Sequence, residues 1–254
     1  RMTIGIVASG PDILTLSKFL STYDHDYIVY YDDLLRPYGD KPAALVQAVI
    51  ADAMDVLIKR GVDTIILPPV RELAFRTHEK VLPLFQTYLT DYCFSSSLVG
   101  KMWAIGDRSD IQVAQPLLES IAAEYTLTDN QQKIKKFHHP MNRWLKETPL
   151  RKYFLTVLSY SDPMANKVAK FDLRYFKDAN VDTLVPLNYG YFNYQNTITK
   201  FLNFKKCRFH KLDKVQHSFE KIVPEKGKKY WVSILYTGQK ELLERQKKIM
   251  RTLQ

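Results

Sequence analysis

The chain has 254 residues, 46% of them hydrophobic and 13% aromatic, and a formal net charge of +10. Its length and hydrophobic content are enough to bury a core in one large domain or in two domains of ordinary size. No apolar run approaches the roughly 18 residues that span a membrane, and no secretory leader is recognisable, so we expect a soluble protein of the cytoplasm that does not contact the membrane. Its cysteines, Cys93 and Cys207, are too few for a disulfide framework, and neither lies in a CxxC pair.

The first elements alternate between strand and helix. Residues 3–7, TIGIV, predict a buried strand that ends at Ala8-Ser9-Gly10, and apolar residues at helical spacing follow from Ile13 to Leu20. Residues 27–31, YIVYY, predict the second strand. An amphipathic helix is predicted over 43–60. A glycine turn between a strand and a helix presents backbone N–H groups to an anion, although many α/β proteins contain such turns.

A Val-Asp-Thr sequence followed by a short apolar run occurs twice. GVDTIILPP occupies residues 61–69 and NVDTLVPLN occupies residues 180–188, and each copy follows an amphipathic segment. This pattern predicts two buried strands of parallel sheets. Ligands of such sheets lie beyond the carboxyl ends of the strands, so Pro69 and Asn188 mark the expected site. Neither side chain acts as an acid, a base or a nucleophile under ordinary conditions.

The rest of the chain continues the alternation of strands and helices. The predicted elements are a helix over 78–89 after a loop that bears Arg71 and Glu72, a strand over 101–105, helices over 111–123, 164–179 and 198–204, a strand over 230–235 and a basic helix over 239–253. Alternating strands and helices predict parallel sheets with helices on both faces. The repeated unit predicts two related α/β halves, with a cleft between their facing strand ends.

The positive charge is unevenly distributed, because all of the net charge of +10 lies from Lys200 onward. Two interpretations are open. The one we favour is a solvated helix face together with a lysine-rich turn at Pro224–Lys229; the other is a patch that meets nucleic acid or an anionic surface. Neither zinc-finger spacing nor an RNP-type aromatic motif supports nucleic-acid binding.

Several motifs follow one another in an order that is shared with a known family. They are Ile4–Gly10, similar to an opening strand and DSG turn; Tyr30–Lys41, similar to Y-x-G-D…R-x-P-Y-G-x-K; Val62–Leu73, at the place of a strand and C-N-T-A-S; Asp182–Leu184, similar to the DTL strand before C-T-H-Y-P; and Tyr236–Gly238, similar to T-G-D-P. In this order they resemble the glutamate racemase family of the aspartate/glutamate racemase superfamily. The most specific piece is Pro37-Tyr38-Gly39 with Lys41.

The resemblance implies an α/β fold of two pseudo-symmetric, doubly wound domains with mainly parallel sheets. Residues 1–95 and 208–254 would build the first domain, and residues 96–207 the second. The family inverts the α-carbon of glutamate without cofactor or metal, in peptidoglycan precursor metabolism. Two cysteine thiolates on opposite faces of the substrate serve as general acid and base.

The chain departs from this pattern at the reacting groups. Pro69 and Asn188 stand at the two cysteine positions, and Ala8 stands at the acidic residue of DSG. The first hypothesis is therefore an inactive racemase homologue that binds a small amino acid or dicarboxylate, or serves a protein partner. The resemblance implies that the ligand-binding residues are Ser9, Gly10, Pro37, Tyr38, Gly39, Val70, Arg71, Asn188 and Tyr189. Scaffold roles for these residues stay open, and Arg71 and Tyr189 either fill the cleft or line it.

Two other hypotheses remain. The chain is either an active amino-acid racemase or isomerase that uses other groups, or an interaction protein that acts through its basic C-terminal segment. The candidate groups for other chemistry are Asp107, Asp110, His138, His139 and Arg71, although a surface loop is the favoured interpretation of the two histidines. The predicted partners are a small amino acid or dicarboxylate, a second copy of the chain, and, ranked last, nucleic acid or an acidic partner.

Overall fold

The computed structural model describes most of the chain. The described residues are 2–8, 12–23, 25–32, 38, 41–97, 100–129, 136–138, 173, 181–202, 207–223 and 231–237. Outside them lie Ser9, Gly10, Pro37, Gly39 and His139, the predicted helix over 239–253, and all of the predicted helix over 164–179 except residue 173.

The elements follow in the alternating order that the sequence predicts. They are β1 (Thr3–Ala8), α1 (Asp12–Leu20), β2 (Asp26–Asp32), α2 (Ala43–Lys59), β3 (Thr64–Ile66), α3 (Pro69–Ala74), α4 (Leu84–Tyr88), a π-helix (Leu89–Phe94), β4 (Lys101–Ile105), α5 (Arg108–Asp129), β5 (Lys136–His138), β6 (Thr183–Pro186), a 3₁₀-helix (Tyr189–Tyr194), α6 (Gln195–Leu202), α7 (Leu212–Ile222) and β7 (Trp231–Thr237). No helix in these described segments is long and apolar enough to cross a membrane.

The strands form two sheets with the same internal order. The first sheet has the order β3-β1-β2-β7 and the second has the order β5-β4-β6. All pairings within them are parallel. In the first sheet β1 lies between the Val-Asp-Thr strand β3 and β2. In the second sheet β4 lies in the same way between the Val-Asp-Thr strand β6 and β5. This confirms an α/β fold with parallel sheets.

The two Val-Asp-Thr segments also make the same backbone contacts. The N–H of Asp63 donates to the carbonyl of Thr3 at 2.8 Å, and the N–H of Asp182 donates to the carbonyl of Lys101 at 3.0 Å. In both cases the acceptor is the first residue of the neighbouring strand. The repeated sequence is thus matched by a repeated structure.

The C-terminal strand returns to the first sheet. β7 pairs with β2 along its whole length, from the pair of Trp231 with Asp26 to the pair of Thr237 with Asp32. A parallel strand needs a crossover to reach its partner, and here the crossover spans the whole second sheet. The domain limits at 95/96 and 207/208 stay a prediction.

The predicted helix over 78–89 is wrong at its start. Val81 forms a parallel bridge with Ile65, and helix α4 begins only at Leu84, after Pro83. Helical structure then continues through the π-helix to Phe94. The predicted loop around Arg71 is also wrong, because these residues form α3. Pro69 at the first position of α3 explains why this helix begins there, since proline has no N–H that would need a partner at a helix start.

Close packing of α2 on β1 depends on a glycine. A Cβ at Gly5 would lie 3.1 Å from the side chain of Leu57 and 3.3 Å from that of Val62. Gly61 ends α2 with φ +81, the left-handed conformation that a C-terminal cap requires. These two glycines bring the first Val-Asp-Thr strand directly beside β1.

Candidate functional site

The carboxyl ends of the two sheets meet through helices that follow their strands. The hydroxyl of Thr15 in α1 donates to Asn193 Oδ1 of the 3₁₀-helix at 3.0 Å, and Lys18 Nζ donates to the same oxygen at 3.2 Å. The hydroxyl of Ser109 in α5 donates to the carbonyl of Lys41, just before α2, at 2.9 Å. These bonds hold together helices from the two halves of the chain, and a ligand of this architecture is expected beyond the strand ends.

Pro69 follows the first Val-Asp-Thr strand and opens α3. It is buried, and Pro68 immediately precedes it. Its ring carries no group that gives or accepts a proton. This strand end therefore starts a helix and offers no reacting side chain.

Asn188 follows the second Val-Asp-Thr strand and caps the 3₁₀-helix. Its Oδ1 accepts a hydrogen bond from the N–H of Gly190 at 2.7 Å, and its backbone is extended. This is the standard way in which asparagine satisfies the free N–H groups of a helix start. The amide is thus engaged in local structure.

Neither cysteine supplies a thiolate. Cys93 lies in the π-helix and is fully buried, and this burial raises the pKa of its thiol to about 12, with an opposing contribution from a contact with Tyr88. Burial also raises the pKa of Cys207 to about 12, and the charge of Asp182 acts in the same direction. Both thiols stay protonated near neutral pH, so neither replaces the missing groups.

Arg71 is the buried cation of the site. Its Nη2 donates to Asp110 Oδ1 at 3.0 Å, which joins α3 to α5 across the two halves. The side chain is 1% exposed, and Nη1 has no hydrogen-bond partner among the described residues. Burial lowers the pKa of Arg71, while the charge of Asp110 and the hydrogen bond to it oppose this shift. A guanidinium remains charged in proteins, so an unpaired Nη1 is an available donor.

Tyr38 is a buried tyrosine that is bonded to a carboxylate. Its hydroxyl donates to Asp32 Oδ2 at 2.8 Å, and the side chain is buried. Burial, followed by the charge and hydrogen bond of Asp32 and the charge of Asp12, raises the pKa of Tyr38. The hydroxyl is therefore protonated, and its hydrogen is directed to a carboxylate.

Tyr189 fills space at the end of β6. Its ring packs edge-to-face on Phe85, with centroids 6.3 Å apart, and stacks on Phe192 at 6.5 Å. Its hydroxyl is buried without a hydrogen-bond partner among the described residues. Burial, then the charges of Glu72 and Asp12, raise its pKa. Packing accounts for the ring, whereas the hydroxyl is left unsatisfied.

Glu72 and Val70, on either side of Arg71, have structural roles. The carboxylate of Glu72 accepts the N–H groups of Phe85 at 2.7 Å and Gln86 at 2.8 Å, and so caps α4. Burial raises its pKa to about 8, although these backbone bonds oppose the shift. Val70 belongs to the hydrophobic core.

The other candidate groups are brought together only in part. Asp107 follows Gly106, which directly follows β4, and it is 1% exposed. Its carbonyl accepts a hydrogen bond from the N–H of Ile111 at the start of α5. Asp110 lies one turn later. His138 ends β5 beside Trp103 in the sheet, so the predicted surface loop is wrong at this residue. No group of His, Cys, Asp and Glu side chains in the described part of the chain is arranged to hold a metal ion.

Sequence reasoning missed Asp12 and Asp32. Asp12 begins α1 and is 3% exposed, and its charge acts on both Tyr38 and Tyr189. Asp32 accepts the hydroxyl of Tyr38. An acidic residue at a helix start just after a glycine turn was the available signal for Asp12.

Comparison with known proteins identifies solved structures that share this fold. No family model matches the chain, and no curated protein sequence matches it. Among solved structures it is similar to glutamate racemase isoform RacE1 of Bacillus anthracis, with a TM-score of 0.74 at 15% identity, over 96% of this chain and 92% of that one.

Two further structures extend the likeness. Glutamate racemase of Francisella tularensis, in complex with D-glutamate, gives a TM-score of 0.70 at 18% identity, over 98% of this chain and 94% of that one. Aspartate racemase of Picrophilus torridus gives a TM-score of 0.54 at 14% identity, over 87% of this chain and 94% of that one. The parallel sheets, the repeated Val-Asp-Thr strands and these full-length matches agree: the chain has the fold of the aspartate/glutamate racemase superfamily.

Proposed function

We propose that this chain is a glutamate racemase homologue that lacks two-thiol racemase activity and uses its strand ends to bind a small carboxylate-bearing ligand. The observation that carries the proposal is the pair of residues at the expected thiol positions. Pro69 opens a helix, and Asn188 caps another through its 2.7 Å bond to Gly190.

The chemistry of inversion supports the loss of activity. Removal of the α-proton and its return on the opposite face require a base and an acid at two positions. Each such group contributes on the order of 10²–10⁴-fold to the rate. The expected positions carry no proton-transferring group, and Ala8 offers no carboxylate to assist one.

Ligand binding is supported by the groups that remain. The guanidinium of Arg71 has one nitrogen on Asp110 and another without a partner in the described part of the structure. Arginine binds carboxylates through two parallel donors, and a buried donor without a partner is costly. The Francisella tularensis neighbour was solved with D-glutamate, an amino acid with two carboxylates. A carboxylate beside Arg71 would satisfy its free donor.

The first test measures whether the chain converts one enantiomer of glutamate into the other. The purified chain is incubated with L-glutamate, and separately with D-glutamate, and chiral chromatography measures the opposite enantiomer over time. A cysteine-containing glutamate racemase serves as the positive control. We expect no product above the no-enzyme blank. Conversion that scales with the concentration of the chain would overturn the proposal.

A second candidate function is turnover by groups other than thiols. The observation that favours it is the buried carboxylate of Asp107, which follows Gly106 just beyond β4 and lies one turn from Asp110. Amino acids and small diacids are screened for turnover, and any activity found is remeasured in Asp107→Asn. Loss of that activity in a variant that folds normally would support this candidate, and an absence of turnover would remove it.

The basic C-terminal segment gives weaker support for an interaction protein. Lys221 Nζ of α7 lies 2.9 Å from Asp91 Oδ2, and Lys214 Nζ lies 3.8 Å from Asp213 Oδ2, so these cations have acidic neighbours. Binding to nucleic acid predicts a steep loss of affinity with salt. A flat salt response would remove this candidate.

We also propose that the chain works in the cytoplasm. Both cysteines are free and buried, as expected of a reducing compartment.

A further inference from the structure

A groove of about 540 Å³ lies between the π-helix and the second half of α5. This volume is in the range of small-molecule sites in proteins. The groove is remote from the ends of the parallel strands. Its residue Tyr125 lies 17 residues beyond Arg108, where α5 begins after β4, and a helix of that length spans roughly 25 Å. A ligand in this groove is therefore separate from one at the strand ends.

The wall formed by the π-helix and the residue after it offers acceptors of hydrogen bonds. The hydroxyl of Thr90 donates to the carbonyls of Gln86 and Thr87 at 3.1 and 3.2 Å, and the hydroxyl of Ser95 donates to the carbonyl of Asp91 at 2.6 Å. A hydroxyl has a single hydrogen, so the remaining capacity of each oxygen is that of an acceptor. A ligand that lies against this wall has to supply the donors.

Each wall of the groove also carries one carboxylate, Asp91 on the π-helix and Glu124 on α5. Lys221 Nζ lies 2.9 Å from Asp91 Oδ2, and Arg76 donates to both oxygens of Glu124. The carboxylate side chains are 31% and 56% exposed. Ion pairs at such exposed positions contribute little to stability, so a cationic ligand can share or replace these partners at small cost.

Apolar side chains complete the lining of the groove. Ile121 and Tyr125 lie one turn apart on α5, both are buried, and the ring of Tyr125 packs on Phe94 with centroids 5.5 Å apart. This surface suits methylene groups, and an aromatic ring also attracts a cation. The lining therefore combines acceptors, a carboxylate on each wall and hydrocarbon. It matches a molecule with ammonium groups at its ends and an aliphatic chain between them.

We propose that this groove binds a linear aliphatic diamine or polyamine, with its ammonium groups on Asp91 and Glu124 and its methylene chain against Ile121 and Tyr125. The inference goes beyond the proposed function and does not depend on it. The ligand carries the opposite charge to the carboxylate-bearing ligand proposed above, and it binds at a different place in the fold.

The test measures binding to the full chain at low salt by isothermal titration calorimetry. Putrescine, cadaverine and spermidine present ammonium groups at increasing separations. Butylamine has one ammonium group on a four-carbon chain, and butanediol has the chain without a charge. We expect the best of the three polyvalent amines to bind about tenfold more tightly than butylamine, since a second charge-assisted hydrogen bond is worth roughly this much. We expect butanediol to show no measurable binding.

Variants locate the site. Asp91→Asn and Glu124→Gln should each reduce the affinity for the best amine to about that for butylamine. Glu119→Gln is the matched control, because Glu119 is exposed on the same helix but does not line the groove. Arg76→Gln removes the competing cation of Glu124 and should tighten binding severalfold. Lys59→Gln removes an exposed cation on α2 and should leave the affinity unchanged.

Several outcomes would overturn this inference. They are the absence of binding of any of the three amines to the folded chain, binding of butylamine or butanediol as tight as that of the best amine, and equal losses of affinity in Glu119→Gln and Glu124→Gln. Equal gains in Arg76→Gln and Lys59→Gln would likewise show a response to net charge alone. None of these outcomes bears on the proposed function, which the conversion of glutamate enantiomers tests separately.

Discussion

Arg71 and Asp110 form a buried ion pair that joins the two halves of the chain, with Nη2 of Arg71 3.0 Å from Oδ1 of Asp110. Breaking such a pair by removing one partner costs about 3–5 kcal/mol, since the other charge stays buried. We expect Arg71→Gln to lower the free energy of unfolding by about 3 kcal/mol, measured by urea denaturation.

The same chain supplies a matched control for this prediction. Arg76 makes a bidentate pair with Glu124 at 2.9 and 3.1 Å, but at the surface. Exposed pairs contribute about 0.2–1 kcal/mol, so Arg76→Gln should have a small effect. Equal losses in the two variants would show that the buried pair has no special role.

Asn188 gives a second prediction about stability. Asn188→Ala removes the acceptor for the N–H of Gly190 and should cost about 0.5–2 kcal/mol. Asn188→Asp keeps a capping oxygen and should cost much less. Thermal unfolding of the two variants measures the difference, and a loss of stability of the same size in both would contradict a capping role.

Glu72 predicts a dependence of stability on pH. Its pKa rises from 4.5 to about 8 in the folded chain because of burial, so the folded state binds this proton more tightly than the unfolded state. Its contribution therefore favours folding below about pH 4.5 and is lost as pH rises towards 8.

The check is a pair of denaturation series between pH 5 and pH 8. The free energy of unfolding of the natural chain should fall across this range relative to that of Glu72→Gln, whose side chain does not titrate. Parallel pH profiles of the two proteins would contradict the shifted pKa.

The cysteines predict a pattern of chemical reactivity. Because burial raises the pKa of both Cys93 and Cys207 to about 12, neither should react with iodoacetamide at pH 8 in the folded chain. Both should react after unfolding in urea. Mass spectrometry counts the alkylated residues, and rapid labelling of the native chain at either position would show that a reactive thiol exists.

Local patterns predicted much of the fold. The two Val-Asp-Thr strands were recognisable from their apolar runs, and Gly61 marked the end of α2. The predicted helix over 78–89 was wrong at its start because Val81 pairs with Ile65 in the first sheet, a contact between distant residues that helical spacing does not reveal. Helix α7 was missed among its many charged residues.

The site was predicted less well than the fold. Strand ends located Pro69 and Asn188, and the family resemblance indicated Tyr38 and Arg71. The ion pair of Arg71 with Asp110 depends on how two separate helices pack, so no local pattern contains it. The burial of Asp12 also depends on how separate elements pack.

Exchange of the α-proton tests the loss of two-thiol chemistry most directly. L-Glutamate and D-glutamate are incubated separately with the chain in deuterated water, and proton NMR follows the α-proton signal. Exchange requires only one active base, so this measurement detects even half of the racemase reaction. We expect the signal to persist at the rate of the no-protein control. Its loss in proportion to protein concentration, with either enantiomer, would contradict the proposal that this chain, with Pro69 and Asn188 at the expected thiol positions, lacks the racemase bases.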